Sequence, residues 1–468
     1  MLFSSPVFLF LFLPLVIVGY RLLGEKYRIY FLTLASLLFY AWGEPKYVLI
    51  MLLSIVVNYT LGLMLHASVA KKAYVRKAVL VLALIANLGV LVYFKYLNFA
   101  FDSLNNFFGT NIALLNIIMP IGISFFTFQG LSYVIDLYRN QVKVQKNPAY
   151  VAFYISFFPQ LIAGPIVRYI DIEDQIYKRS ESIEKFAEGA KRFIIGLSKK
   201  IMIANTVGFI ADQVFANSAA ENTVATAWLG VVCYAFQIFF DFSGYSDMAI
   251  GLGKMFGFEF LENFNYPYIS KSVTEFWRRW HISLSTWFRD YLYIPLGGNR
   301  RGNVYVNLLI VFFVTGLWHG ASFNFIVWGL WHGLFLIIER ALKLNKTKSK
   351  MKLAPLRHLS TMLIVLIGWV FFRVENLPEA LKYLGVMFGV ITPKAGVTIW
   401  YYLDTKLMLA LGIAVLASLP IAKTKFFDIL RQKAAWKYVS AVLVLFLLFV
   451  SVIFVVSSSY NPFIYFRF

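Results

Sequence analysis

Apolar runs of about twenty residues recur along almost the whole chain, and one such run is what an α-helix needs to cross the hydrocarbon of a bilayer. Helices are expected because lipid offers no partners to unsatisfied backbone groups. The sequence is 60% hydrophobic and only 14% charged, so it predicts an all-α polytopic membrane protein that forms a single transmembrane domain over residues 1–468. The roughly twelve predicted spans are 8–20, 29–42, 47–66, 78–99, 114–136, 192–215, 226–252, 304–318, 323–340, 357–376, 406–421 and 438–457.

The positive charge is distributed unevenly between the loops. The net charge of +21 would suggest nucleic acid as a partner for a soluble protein. Here, however, loops 100–113 and 216–226 carry few or no lysines and arginines, which indicates that the basic loops mark the cytoplasmic side of a membrane. Membrane orientation explains the whole pattern, and we expect a lipid bilayer and no nucleic acid. The basic loops are 21–28, 68–77, 137–149, 167–200, 253–303, 341–356 and 422–437.

The longest polar interruption lies in the stretch of about 253–340, where we expect the chemistry. Ser272 and Glu275 fit a capping box, which predicts a helix start. At helical spacing one face is aromatic, which predicts an interfacial helix at the membrane surface. On periodicity alone, a purely structural role in meeting lipid phosphates stays open. The aromatic face holds Phe276, Trp280, Leu284, Trp287 and Tyr291, and the other face holds Arg278, Ile282, Ser285 and Arg289.

Three of the five histidines, His281, His319 and His332, each follow a tryptophan. Burial beside an indole favours a neutral imidazole, and a neutral imidazole can act as a general base. Taken singly, each histidine also fits a hydrogen-bonded packing role.

The predicted span 226–252 ends in FFDFSGYSDMAIGLG, which contains several polar residues in an apolar context. Polar groups are expensive in hydrocarbon, so they indicate a polar chamber within the helices. We place in it Asp241, Ser243, Tyr245, Asp247 and, from a later span, His332. A cation site at the two acids is disfavoured, because hard cations need several oxygen ligands and no further acid or histidine is near in sequence. No metal site is predicted.

Segment 154–169 is broken by Pro159, Gly164 and Pro165 and is too short for a simple span. Irregular backbone at membrane depth needs cover from protein or a watery cavity, so we expect a re-entrant pair here. The single cysteine, Cys233, excludes a disulfide framework. The chain has no G-x-S-x-G elbow, P-loop or H-E-x-x-H motif. The turn 296–301 offers backbone N–H groups and two guanidiniums to a phosphate, although a plain tight turn explains it equally well.

Long motifs across the chain resemble the membrane-bound O-acyltransferase family, and within it the branch that acetylates alginate and peptidoglycan. They begin with MLFSSPVFLFLFLP, MPIGISFF and FPQLIAGPIVR. The polar stretch then contributes FFDFSGYSDMAIGLG and ENFNYPYISKSVTEFWRRWHISLSTWFRDYLYIPLGGNR, and the last motifs are GLWHGASFNFIVWGLWHG and IGWVFFR.

The resemblance implies a ring of about 11–12 tilted helices, with re-entrant and interfacial helices, around a thin centre. It implies that His319 is catalytic and that His281 is a supporting residue near the acyl path. It also implies a bacterial inner-membrane, multi-pass O-acetyltransferase with no bound cofactor, whose cytoplasmic donor is acetyl-CoA or a related carrier. The acceptor would be an exported SGNH-hydrolase-like partner or a polysaccharide.

Five arginines on the predicted cytoplasmic side suit the phosphates of coenzyme A. They are Arg278, Arg279, Arg289, Arg300 and Arg301. Two other functions fit the polytopic pattern: a transporter of acetyl groups or polysaccharide, and a scaffold without catalysis. Neither would depend on His319.

Overall fold

The computed structural model describes residues 1–162, 164–218, 221–344, 353–392 and 396–464. Within these ranges the regular structure is α-helical, with short π and 3-10 turns and no strand beyond one isolated bridge between Asn222 and Val397. The prediction of an all-α polytopic protein is confirmed. The predicted basic loop 341–356 lies partly outside the described residues.

The described chain divides into two compact units, and the single-domain assignment stays a prediction. The first unit comprises Met1–Phe193 and Met248–Leu261, and the second comprises Ile194–Asp247 and Glu262–Phe468. The helices that begin in the first unit are α1 (Leu13–Leu22), α2 (Glu25–Gly43), α3 (Val48–Ala67), α4 (Ala73–Leu91), α5 (Leu97–Phe108), α6 (Ile123–Tyr138), α7 (Pro148–Ser156), α8 (Phe158–Leu161), α9 (Tyr169–Tyr177) and α10 (Ile183–Ser198).

The broken segment of the first unit is irregular, as predicted. Helix α7 ends at Ser156, the four-residue α8 follows, and residues 165–168 are not helical. Phe157, Phe158 and Gln160 are fully buried, so protein covers the irregular backbone. This cover is the condition for tolerating such a segment at membrane depth.

The second unit carries the polar stretch and the histidine-bearing helices. Its helices are α11 (Asn205–Ala216), α12 (Val224–Met255), α13 (Val273–Arg279), α14 (Ile282–Phe288), α15 (Val304–His319), α16 (Phe323–Ala341), α17 (Ala354–Arg373), α18 (Leu377–Met387), α19 (Thr405–Ala417), α20 (Lys425–Gln432) and α21 (Ala434–Ser457), of which α12 ends in the first unit.

Seven helical stretches of the described chain are long and apolar enough to cross a membrane, and two shorter apolar helices, Phe8–Leu22 and Val304–His319, accompany them. The remaining predicted spans differ for local reasons. The span predicted at 114–136 becomes helical only at Ile123, because Gly122 adopts a left-handed conformation (φ 76°) two residues after Pro120. Helices α2 and α16 exist where spans were predicted, but their tryptophans, tyrosines and charged residues dilute the apolar pattern.

The continuous aromatic helix predicted from Ser272 onward is wrong. The chain breaks at Trp280 and His281 into α13 and α14, because His281 takes a left-handed conformation with φ 45°. Asn263 holds the break: its side-chain oxygen accepts from the backbone N–H of Ser283 at 3.2 Å and from its hydroxyl at 2.9 Å. Most of the predicted aromatic face is buried in protein: Trp280 is 4% exposed, Phe276, Leu284 and Trp287 are buried as well, and Tyr291 is half-buried.

The predicted helix start at Ser272 is confirmed. The Ser272 hydroxyl accepts from the backbone N–H of Glu275 at 3.0 Å. The reciprocal half of the box is displaced by one residue, since the Glu275 carboxylate accepts from the N–H of Lys271. Glu339 of α16 completes the cap by accepting from the N–H groups of Val273 and Thr274 at 2.5 and 2.9 Å.

Candidate functional site

The pairing of α15 with α16 places His319. A Cβ on Gly316 would lie 2.3 Å from the carbonyl oxygen of Phe325, and a Cβ on Gly329 would lie 2.2 Å from that of Phe312. Only glycine permits such a close approach of two helix backbones. His319 is the last residue of α15, so this contact fixes where its imidazole lies.

Aromatic rings surround the imidazole of His319. Its ring centroid is 4.9 Å from that of Trp318, 4.9 Å from that of Trp328 and 5.1 Å from that of Phe372, each at a steep angle. The side chain is 6% exposed. Rings at such angles restrict the rotation of the imidazole and so keep its nitrogens in fixed directions.

His319 lies in the wall of a small cavity of about 10 Å³, space for about one water-sized group. Of its lining side chains, only His319 is titratable, and all the others are apolar or aromatic. The lining comprises Ile238, Phe242, Trp280, His319, Trp328, Trp369, Phe372 and Ile464. The arrangement offers one imidazole to a small reactant in an environment that excludes bulk water.

His281 lies beside this cavity and does not line it. Its Nδ1 is 3.1 Å from the side-chain oxygen of Asn263, and its ring packs edge-on against Phe242 at 4.6 Å. The ring of Trp318 lies 6.3 Å from His281 and contacts His319 as well. His281 lies outside the candidate spans, and burial lowers its pKa to about 3, so the imidazole is neutral.

His332 is fully buried and packs between Trp277 at 5.2 Å and Trp328 at 5.3 Å. A Cβ on Gly368 would lie 2.6 Å from its Nε2, so the ring fills the space left by that glycine. Neither ring nitrogen has a hydrogen-bond partner among the described residues. Among the described residues, the ring that contacts His332 and also lines the cavity is Trp328, and His332 does not join the polar chamber predicted for it.

The acids of the predicted polar chamber each pair with a lysine. Asp241 lies 2.7 Å from Lys200 Nζ, and Asp247 lies 2.7 Å from Lys199 Nζ. Ser243 is buried, and Tyr245 packs against Phe463 at 4.6 Å. None of the five residues predicted for the chamber lines the cavity at His319. In the described part of the chain, no group of three or more histidine, cysteine or acidic side chains is placed to hold a metal ion.

The predicted donor-binding arginines are not equivalent. Arg279 is committed to Glu275 at 2.9 Å and to the carbonyl oxygen of Asn265 at 3.0 Å, and Arg289 pairs with Asp290 at 2.6 Å. Arg278, Arg300 and Arg301 are exposed, and Arg289 is exposed as well despite its pairing with Asp290. The turn that carries Arg300 and Arg301 is tight, with φ 111° and 56° at the two glycines before it, Gly297 and Gly298.

Sequence reasoning missed most of the cavity wall. Trp328, Trp369 and Phe372 lie in motifs quoted above, but an aromatic residue in a helix is more often core than site, so nothing marked them. Asn263 and Glu339 were missed because the groups that they bind are far away in sequence. A buried acid near the end of an apolar helix was the one available signal for Glu339.

The structure is thus that of a helical membrane protein with a buried imidazole in the wall of a small, water-poor cavity. Residues 38–377 match the sequence model of MBOAT, the membrane-bound O-acyltransferase family. The chain belongs to this family and is an O-acyltransferase of the membrane.

Three relatives carry names that mention three different polymers. The chain is 50% identical to a probable alginate O-acetylase AlgI of Pseudomonas aeruginosa, over 83% of this chain and 75% of the relative. It is 38% identical to a peptidoglycan O-acetyltransferase of Helicobacter pylori, over 83% and 80%. It is 28% identical to a teichoic acid D-alanyltransferase of Bacillus subtilis, over 55% and 67%.

Proposed function

We propose that the protein transfers an acetyl group from a cytoplasmic donor, acetyl-CoA or a similar carrier, for O-acetylation of an extracytoplasmic polysaccharide such as alginate or a cell-wall polymer. An exported SGNH-hydrolase-like protein is the proposed partner at the outer face. The site of action is the bacterial inner membrane. The names of the relatives from Pseudomonas and Helicobacter, both O-acetylating proteins, support the choice of acetyl.

The observation that carries this proposal is the imidazole of His319 in the wall of a cavity with room for about one water-sized group. A two-carbon acyl group has a methyl of that size, whereas a long acyl chain would have to displace Trp328, Trp369 or Phe372. The packed aromatic wall therefore favours acetyl over longer donors.

In the proposed reaction, His319 accepts the proton of the acceptor hydroxyl while the hydroxyl oxygen attacks the acetyl carbonyl. A C–O bond forms, the C–S bond of the thioester breaks, and the thiolate leaves with the proton returned by the imidazolium. General base catalysis of this kind contributes a factor of about 10²–10⁴. The step requires a neutral imidazole, because only an unprotonated ring nitrogen can accept the proton.

Trp328 is the proposed donor to the oxyanion. Its indole Nε1 has no hydrogen-bond partner among the described residues, although the side chain is 1% exposed. A buried N–H of this kind calls for an explanation, and Trp328 both contacts His319 and lines the cavity. The explanation proposed is that this N–H donates a hydrogen bond to the negatively charged oxygen that develops in the transition state.

His281 acts through its neighbours in this proposal. It holds Phe242, which lines the cavity, and contacts Trp318, which packs on His319. The exposed arginines Arg278, Arg300 and Arg301 are the proposed contacts of the coenzyme A phosphates, because a guanidinium matches phosphate oxygens in two-point hydrogen bonds.

The test replaces His319 by Ala in the full-length protein. Release of free coenzyme A from labelled acetyl-CoA, with a candidate exported partner present, should fall by about 10²–10⁴-fold. The protein should remain in the membrane at its normal level. His358→Ala is the matched control, because that half-buried histidine touches a backbone carbonyl at Ser270 and not the cavity. Undiminished acetyl transfer by the His319 variant would disprove the assignment.

A further inference from the structure

We propose that the buried ion pair between Lys200 and Asp241 is a positioning device, which holds segment 458–464 in place as one wall of the His319 cavity. This inference rests on the function proposed above, since it assigns the pair a part in the same reaction. Both residues lie in the second unit, and neither lines the cavity itself.

The two charges are withdrawn from solvent. The side chain of Lys200 is 1% exposed, that of Asp241 is 2% exposed, and the ammonium and carboxylate lie 2.7 Å apart. Desolvating a lysine and an aspartate costs several kcal/mol for each ion, so such a pair gives little net stability over apolar residues of the same volume. Fold stability alone therefore does not explain it.

Both charged groups also bind the backbone of one segment. Asp241 Oδ2 accepts from the N–H of Ile464 at 3.0 Å, and Lys200 Nζ donates to the carbonyl oxygen of Pro462. Lys200 Nζ donates in addition to the side-chain oxygen of Asn205 at 2.8 Å. Segment 458–464 lies outside helix α21, so these contacts replace the backbone bonds that a helix would supply.

The same segment reaches the reaction site through one residue. Ile464 lines the cavity together with His319. It is the residue whose N–H the Asp241 carboxylate holds, so the position of the ion pair fixes the position of that wall. If the wall moved outward, the cavity would admit water, and fixed dipoles would lose strength in the higher dielectric.

Further contacts fasten the start of the segment. Asn205 Nδ2 donates to the carbonyl oxygen of Tyr460 at 3.2 Å, and the Tyr460 hydroxyl donates to Asp212 at 2.6 Å. Asp212 in turn pairs with Arg373 at 2.8 Å, at the end of the helix that carries Phe372. The segment is therefore held at both ends, and the ion pair holds the end that faces His319.

Two double variants separate the anchoring role from the electrostatic one. Lys200→Gln with Asp241→Asn removes both charges but keeps side-chain groups that can bind the backbone of Pro462 and Ile464. Lys200→Met with Asp241→Leu removes the charges and the hydrogen bonds together. Neither leaves a lone buried charge, so both should reach the membrane at similar levels.

We expect the Gln/Asn variant to keep most of its acetyl transfer. The Met/Leu variant should lose at least about tenfold in kcat, the effect of losing a hydrogen bond to a charged group, with the KM for the donor unchanged. If the ion pair only stabilised the fold, the Met/Leu variant would show lower abundance or a lower melting temperature. The kcat and KM of the folded protein would then stay unchanged.

A second measurement does not depend on activity. Cys233 is buried, so Ile464→Cys introduces one reportable thiol in each background. Its modification by a maleimide should be at least about tenfold faster in the Met/Leu background than in the Gln/Asn background. Ser459→Cys, at an exposed position of the same segment, should react equally fast in both.

Equal kcat and equal labelling of Ile464→Cys in the two doubles would overturn the proposal. Equal loss of kcat in both, with Ile464→Cys protected in both, would also overturn it, because charge and not anchoring would then matter. If His319→Ala proves fully active while the labelling difference appears, the proposed reaction fails and the anchoring of the segment stands.

Discussion

At the scale of single residues, three histidines that share a tryptophan neighbour in sequence have three different surroundings. His319 lines a cavity. His281 lies at the break between α13 and α14, with its Nδ1 3.1 Å from the side-chain oxygen of Asn263. The ring of His332 packs against Gly368, in the space that a larger residue there would occupy. The sequence presents them alike because each follows a tryptophan near a glycine or a turn. The residue pattern alone left all three open, and only the family resemblance singled out His319; their different surroundings arise from the packing of the second unit.

The Trp328 indole provides a test of the oxyanion assignment. Trp328→Phe keeps the ring in the cavity wall and removes the N–H, so kcat should fall by about 10²–10³-fold while the KM for the donor stays within about twofold. Trp277→Phe is the matched control, because Trp277 is also buried with no hydrogen-bond partner for its Nε1 among the described residues, yet does not line the cavity. Equal kcat for the two variants would refute the assignment.

The buried His281 should make the protein sensitive to mild acid. Its pKa is about 3 in the folded chain and about 6.5 when unfolded, so between these values the unfolded state binds more protons. Stability is therefore complete above pH 6.5 and falls as the pH drops toward 3. His281→Asn keeps a residue that tolerates the left-handed backbone and removes this proton.

Melting temperatures in detergent at pH 7.5 and pH 5.0 are the measurement. The melting temperature of the wild type should fall further between pH 7.5 and pH 5.0 than that of His281→Asn, because all other titrating groups are common to both proteins. Parallel losses would show that the imidazole is not held neutral.

At the scale of helices, the close pairing of α15 and α16 is what brings His319 to the cavity. Gly316→Ala and Gly329→Ala would each place a Cβ within 2.3 Å of a carbonyl oxygen that cannot move without its helix. Such overpacking costs about 1–3 kcal/mol and should separate the two helices. We expect a lower melting temperature together with a loss of acetyl transfer.

Gly412→Ala is the control for that pair of variants. Gly412 lies inside α19, and a Cβ there meets nothing within 4 Å. Alanine in an open helical position stabilises by about 0.4–1 kcal/mol. If Gly316→Ala and Gly412→Ala had equal melting temperatures, the backbones of α15 and α16 would have to be far enough apart at Gly316 to admit a methyl group.

Sequence patterns predicted helices well where neighbouring residues determine the structure. They failed where the structure depends on contacts with residues far away in sequence. The apolar runs of α3, α4 and α21 predicted helices because length and composition suffice for that. The break after α13 could not be predicted, because Asn263, eighteen residues before His281, supplies the hydrogen bonds that favour it. The ion pairs of Asp241 and Asp247 were hidden for the same reason, since both lysines lie more than forty residues earlier in the chain.

At the scale of the whole molecule, the proposed reaction requires a fixed orientation in the membrane. In that proposal the donor is cytoplasmic and the acceptor is outside, so the two substrates would have to reach His319 from opposite faces. Positive charge sets such an orientation, because basic loops are retained in the cytoplasm. Helix α21 offers the clearest test, because its 24 residues span about 36 Å and the basic segment 422–437 ends in its first turn.

Two cysteine variants at the ends of α21 would measure that orientation. Lys433 and Ser459 are both exposed and lie just before and just after the helix. With Cys233 buried, Ser459→Cys should react with a membrane-impermeant maleimide in spheroplasts, and Lys433→Cys should react only after the membrane is opened. The reverse pattern would place the basic segment outside, and the donor could then no longer approach from the side that carries Arg278, Arg300 and Arg301. Labelling of both positions in intact spheroplasts would mean that α21 does not cross the bilayer at all, and the outer end of the acetyl path would have to be sought elsewhere in the chain.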